Sequence, residues 1–133
     1  MIPVLMLPGS GHPNGGDGVT EDFMRHLDPS RFAPRIVSYP ATGFGLGSTY
    51  ASSRDAGIAA LHGAAQGLDR FVVGGYSQGA VAAGDFAEQW LMRHEGDPAE
   101  LHRLAGVALI ADGRRPPGAL TSTPGHPTAP GYG

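Results

Sequence analysis

Five residues, Gly75-Tyr76-Ser77-Gln78-Gly79, form a G-x-S-x-G pattern directly after an apolar run, Phe71-Val72-Val73, and directly before a small-residue stretch beginning at Ala80. In that setting the serine sits on a sharp strand-to-helix turn. The turn brings the backbone of the residues two before and two after the serine together, so Gly75 and Gly79 read as the elbow's obligatory small residues. It also lifts the Ser77 hydroxyl to the N-terminal end of the following helix, where developing negative charge is favoured. The chemistry this arrangement serves is nucleophilic attack on a carbonyl, with Ser77 as nucleophile and the Gln78 backbone N–H as one half of an oxyanion hole. The other half comes from the loop after an earlier strand. Pro8-Gly9-Ser10-Gly11 follows the first apolar run, which makes Ser10 the candidate second donor.

A serine hydroxyl is a weak nucleophile near neutral pH and requires a base, normally a histidine oriented by a carboxylate. The chain order expected after such an elbow is serine, acid, histidine. Asp112, at the end of an apolar run, and His126 satisfy that order and are the candidate acid and base. The competing reading makes Asp112 a turn cap beside Arg114 and His126, between Gly125 and Pro127, a solvated loop residue. His12 is a second candidate base by location, in the same loop as Ser10. His26, His62, His94 and His102 fall in helical segments and are expected to face solvent, and none has a partner at metal-ligand spacing. The chain has no cysteine and no lysine; all nine basic residues are arginine. That excludes thiol nucleophiles, disulfides and Schiff-base chemistry, and neither a metal nor an organic cofactor is called for.

The elements that must hold these residues follow from periodicity. Four apolar runs without polar alternation, Val4–Leu7, Arg35–Ser38, Phe71–Gly74 and Val107–Ala111, read as strands buried on both faces. Between them Val19, Phe23 and Leu27, then Ile58, Leu61, Ala65 and Leu68, recur at helical spacing. After Ser77 the small residues Ala80, Gly84, Ala87 and Leu91 are expected to line the sheet-facing side of a third helix. Asp97-Pro98 reads as the cap and first turn of a fourth, ending near Arg103. Alternating strands and helices predict a doubly wound parallel sheet with functional loops at the carboxyl ends of the strands. Residues 1–112 form this core, and 113–133, rich in Gly and Pro without periodicity, read as an irregular loop or tail.

Other patterns take a structural reading. Gly43-Phe44-Gly45-Leu46-Gly47 has its third glycine misplaced for a dinucleotide loop. Asn14-Gly15-Gly16-Asp17-Gly18 lacks the length and distal Glu of an EF-hand and reads as a flexible lead into the first helix. Phe86 and Trp90, four apart, are expected in the core. Glycine and proline together make 34 of 133 residues, yet 41% of the chain is hydrophobic, enough for one domain core. A formal charge of −3 provides no basic field for nucleic acid or an anionic membrane, and no apolar run approaches the ~20 residues of a membrane span.

The GGYSQGA segment at 74–80, with Tyr39-Pro40-Ala41 and Tyr50-Ala51-Ser52-Ser53 upstream, resembles the cutinase-like serine esterases, and most closely the lysin B proteins of mycobacteriophages. The similarity runs over about residues 2–115 and implies a three-layer α/β-hydrolase-like fold. It also implies cleavage of lipid, mycolyl-type esters of the mycobacterial cell wall. Members of this family place the triad acid and histidine well downstream of the elbow. Only 56 residues follow Ser77 here, so the sheet is read as truncated after its fourth strand. An inactive scaffold, a phage structural or binding protein, and one half of a split esterase are the alternatives. The unpaired edge such a sheet leaves would favour self-association or a complementing chain. No signal peptide pattern follows Met1, which suggests a cytoplasmic location in the producing cell, with release at lysis if the chain is a phage lysin.

Overall fold

A computed structural model describes residues 1–42 and 49–111. Four strands, β1 (Ile2–Leu7), β2 (Phe32–Ile36), β3 (Phe71–Tyr76) and β4 (Leu104–Ile110), alternate with helices α1 (Val19–Arg25), α2 (Thr49–Ala65), α3 (Gln78–Arg93) and α4 (Pro98–Arg103). All pairings are parallel and the sheet order is β2-β1-β3-β4. The doubly wound parallel sheet read from the sequence is therefore the observed one. Its order reverses between β1 and β3, which places a crevice at the carboxyl ends of those two strands.

Strand alternation divides the core. Leu5 and Leu7 of β1 and Phe71 and Val73 of β3 pack against Ile58, Leu61 and Ala65 of α2 and against Ala82, Ala83, Phe86 and Trp90 of α3, all buried. Phe71 meets Phe86 and Trp90 edge-on, with centroids 6.1 and 5.3 Å apart, so both aromatics are core residues as expected. On the other face Val4 and Val72 share a groove with Phe23 and Leu27.

Three expectations shift. The second strand starts at Phe32 and ends at Ile36, earlier than Arg35–Ser38, and the fourth starts at Leu104, directly after α4. β2 lies at the sheet edge, where Pro34 and Arg35 are tolerated because one side makes no ladder. On α3 the buried stripe runs through Ala80, Ala83, Ala87 and Trp90, while Leu91 is 54% exposed. Ala80 and Ala87 are thus buried as expected, while Phe86 and Trp90, anchored on Phe71, hold the helix so that Gly84 is half-buried and Leu91 faces out. The imidazoles of His62 and His94 also depart from their expected solvent exposure, lying 4.5 Å from Phe86 and 4.4 Å from Trp90. Asp97 caps α4 as expected, accepting from the Glu100 N–H. No helix among the described residues is long and apolar enough to cross a membrane.

Candidate active site

β3 delivers the chain into the elbow, and Ser77 takes φ 56° and ψ −114°, a conformation L-residues rarely adopt. It persists because both sides are held: Ser77 N–H donates to the Ile110 carbonyl at 3.0 Å, and its own carbonyl accepts the Val81 N–H at 3.1 Å to start α3. The two glycines are sterically required. A Cβ on Gly75 would run into the Gly79 backbone, and one on Gly79 would run into the Leu7 carbonyl at the end of β1. Their absence lets α3 begin against the sheet, leaving the Gln78 N–H among the first helical donors without an intrahelical partner.

The loop after β1 lies beside the elbow. Ser10 Oγ accepts from Gln78 Nε2 at 3.0 Å, so the two residues expected to flank an oxyanion are neighbours. Several contacts hold this loop. The Asp17 carboxylate accepts from Gly9 N–H at 2.8 Å, from Thr20 N–H at 2.7 Å and from the Thr20 hydroxyl at 2.8 Å. Burial alone would push the Asp17 carboxyl up, but these hydrogen bonds outweigh it and hold it below the usual carboxylate range. Glu21 accepts from Gly16 and Gly18 N–H, which restrains the glycine-rich lead into α1 that the sequence suggested was flexible. Gly11 N–H donates to the Ala41 carbonyl at 2.7 Å, and the buried Tyr39 hydroxyl donates to Pro8 carbonyl at 2.6 Å. Desolvation raises the Tyr39 phenol well above its ordinary value, so it stays protonated as this donor.

Gln78 itself is 1% exposed, and its side chain bridges the segment after β1, the segment after β2 and helix α2. Oε1 accepts from the Ser53 hydroxyl at 2.6 Å, while Nε2 donates to the Thr42 carbonyl at 2.5 Å as well as to Ser10. Ser53, also 1% exposed, accepts from Thr42 N–H at 2.9 Å. Ser53, Thr42, Tyr39 and Asp17 were not singled out for roles at this site. Only Asp17 carries a local sign, an acid placed where a helix needs capping. The others reach the site through tertiary packing.

The structure thus brings together Ser77, Gln78, Gly75, Gly79 and Ser10. His12 lies in the Ser10 loop but is exposed. Asp112 and His126 lie outside the described residues, as does the 43–47 glycine pattern. Among the described residues no group of three His, Asp or Glu side chains could hold a metal ion.

No family model matches the chain. Over 48 residues it is 56% identical to a carboxylesterase Culp6 homolog of Corynebacterium glutamicum, a match covering 36% of this chain and 15% of that protein. Its structure resembles an acetylxylan esterase, with TM-score 0.63, 21% identity, and 90% of this chain and 66% of that one covered. It also resembles the catalytic core domain of acetyl xylan esterase from Trichoderma reesei, with TM-score 0.55, 20% identity, and 86% and 64% covered. For lysin B from Mycobacteriophage D29 the values are 0.58 and 23%, with 91% of this chain and 50% of that one covered. The chain therefore spans half to two thirds of the length of these structures, and with them it shares a fold, an α/β parallel sheet with helices on both faces.

Proposed function

We propose that this chain is a serine ester hydrolase of the cutinase-like, lysin B type, acting on lipid esters. The observation that carries the reading is the strained Ser77 at the start of α3, with the Ser10 hydroxyl held on the side chain of the adjacent Gln78. Ser77 Oγ attacks the ester carbonyl carbon, and its proton passes to a base. Negative charge gathers on the carbonyl oxygen, where the Gln78 N–H and the Ser10 hydroxyl donate to it. Collapse of this intermediate expels the alcohol, which takes the proton from the base. Water then attacks the acyl-enzyme by the same steps and frees the acid and Ser77.

For the acid and base we carry forward Asp112 and His126, since the chain leaves β4 through Ala111, at φ 52°, directly beyond Ile110, whose carbonyl holds the Ser77 N–H. The substrate class, a mycolyl-type ester of the mycobacterial cell wall, and a role in phage-driven wall lysis rest on the GYSQGA resemblance and on the likeness to lysin B. Self-association belongs with these proposals, through β4, which among the described residues pairs on one side alone, carries no charged residue and exposes Val107 and Leu109.

The test is incubation with a fluorophosphonate probe and p-nitrophenyl butyrate, beside Ser77→Ala. Labelling and turnover should vanish in the variant, a loss of about 10⁴-fold or more. A folded wild-type chain that neither labels nor turns over would overturn the self-sufficient esterase and leave the incomplete scaffold.

A further inference from the structure

We infer that a cleft at the amino end of the sheet, walled by the last turns of α2 and α3 and by α4, is a binding site for a small molecule carrying a phosphate group. The cleft has a volume of about 400 Å³, within the span of small-molecule sites, and lies at the end of the sheet opposite Ser77. Four basic side chains line it: His62 from α2, Arg93 and His94 from α3, and Arg103 from α4. Among the described lining residues Glu100 is the one acid, and Arg103 already holds its carboxylate at 2.8 Å. The chain as a whole carries a formal charge of −3, so the cleft reverses the sign of the molecule around it. A basic recess on an acidic protein draws anions by its local field.

Each group has its own part. The carbonyls of Ala65 and Leu68, which would repel an anion, accept from Arg103 at 3.1 and 3.0 Å, so the negative end of α2 is turned onto a cation. Arg93 is exposed, and its planar fork can donate two N–H bonds to one phosphate. His94 Nε2 stands 4.0 Å from the Glu100 carboxylate, beyond hydrogen-bond reach, and can donate to a ligand oxygen instead. His62 lies deeper, with Nε2 buried, and reports the field. Burial lowers its pKa first, and the charges of Arg93 and His94 lower it further, against a hydrogen bond with Gln89. An anion in the cleft would neutralise the charge that holds this imidazole neutral. A phosphate fits better than a carboxylate, because its second ionisation near pH 6 falls in the range where an imidazole takes up a proton to match it. Trp90, the chain's one tryptophan, lines the same cleft, with the His94 ring centroid 4.4 Å and the Arg103 guanidinium 5.2 Å from its own.

The experiment titrates inorganic phosphate and glycerol 2-phosphate into the full chain near neutral pH at constant ionic strength, with acetate beside them. Trp90 emission and the ring-proton shifts of His62 and His94 by NMR are the two readouts. Both phosphates should produce saturable changes, and the His62 pKa should rise when phosphate is present, since a neighbouring anion favours the charged imidazole. Arg93→Ala, an exposed position whose loss the fold should tolerate, should weaken binding about tenfold, the scale of a lost charge-assisted hydrogen bond. Arg25→Ala removes a cation already paired with Asp22 on α1, across the sheet, and should leave affinity within about twofold of wild type. No saturable change in either readout, equal weakening by the two substitutions, or acetate binding as tightly as phosphate would each overturn the inference. Ser77→Ala should bind phosphate as the wild type does, so this site and the esterase reading stand or fall separately.

Discussion

The two ends of the sheet are both tied together by side chains reaching between elements, but to different effect. At the amino end Arg103 donates to the Leu68 and Ala65 carbonyls at 3.0 and 3.1 Å and to Glu100 at 2.8 Å, with its guanidinium 5.2 Å from the Trp90 ring centroid. Trp90 Nε1 donates to the Glu100 carbonyl at 3.1 Å. These contacts add a charged donor to carbonyls at and just beyond the end of α2 and join α4 to the core, and among the described residues there no non-glycine residue takes a positive φ. At the carboxyl end lie the three described non-glycine residues with positive φ, Ala41, Ser77 and Ala111, each beyond the end of a different strand. Strain gathers where the chain needs a hydroxyl in one place, and the bonds around Gln78 fix orientation more than they add stability.

The difference can be pressed from both ends. The largest effect is expected from Gly75→Ala. Its methyl would overlap the Gly79 backbone, so about 3 kcal/mol of stability should be lost together with activity, read as a lowered urea midpoint. Arg103→Ala should cost about 2 kcal/mol by the same measurement, since two carbonyls lose a charged donor. Turnover per folded molecule should stay within about twofold of wild type. A large loss of kcat there would break the distinction between the ends. The smallest effect is a pH dependence of stability from His62. Desolvation, then the charges of Arg93 and His94, lower its pKa, opposed by a hydrogen bond with Gln89. The folded state therefore binds this proton less readily than the unfolded chain. Stability is fully present above the unfolded value of about 6.5 and is lost as the pH falls below it. Urea midpoints between pH 7.5 and 5.0 should show that loss in the wild type and less of it in His62→Phe; equal slopes would remove His62 from the account.

How far the sequence reached is clearest element by element. Unbroken apolar runs marked β1 and β3, and the G-x-S-x-G spacing marked the elbow, because burial on both faces and a sterically closed turn leave few residue choices. β2 was displaced because an edge strand admits Pro34, which counts against a strand in the sequence. On α3 Ala80 and Ala87 were legible as buried and Leu91 was not, because small residues permit close approach whereas the buried aromatics Phe86 and Trp90 anchor the helix.

The sequence by itself determined that a serine stands on a strand–helix elbow, that Ser10 follows the first strand, and that thiol and lysine chemistry are excluded. Those are matters of residue type and of spacing within a few positions. Only the tertiary structure decided that Ser53, 25 residues before Gln78, and Ser10, 68 before it, meet on one carboxamide, and that Asp17 holds the Ser10 loop through Gly9. A hydrogen bond between distant residues leaves no periodic trace, since short polar side chains in loops read as solvated until the fold removes the water around them.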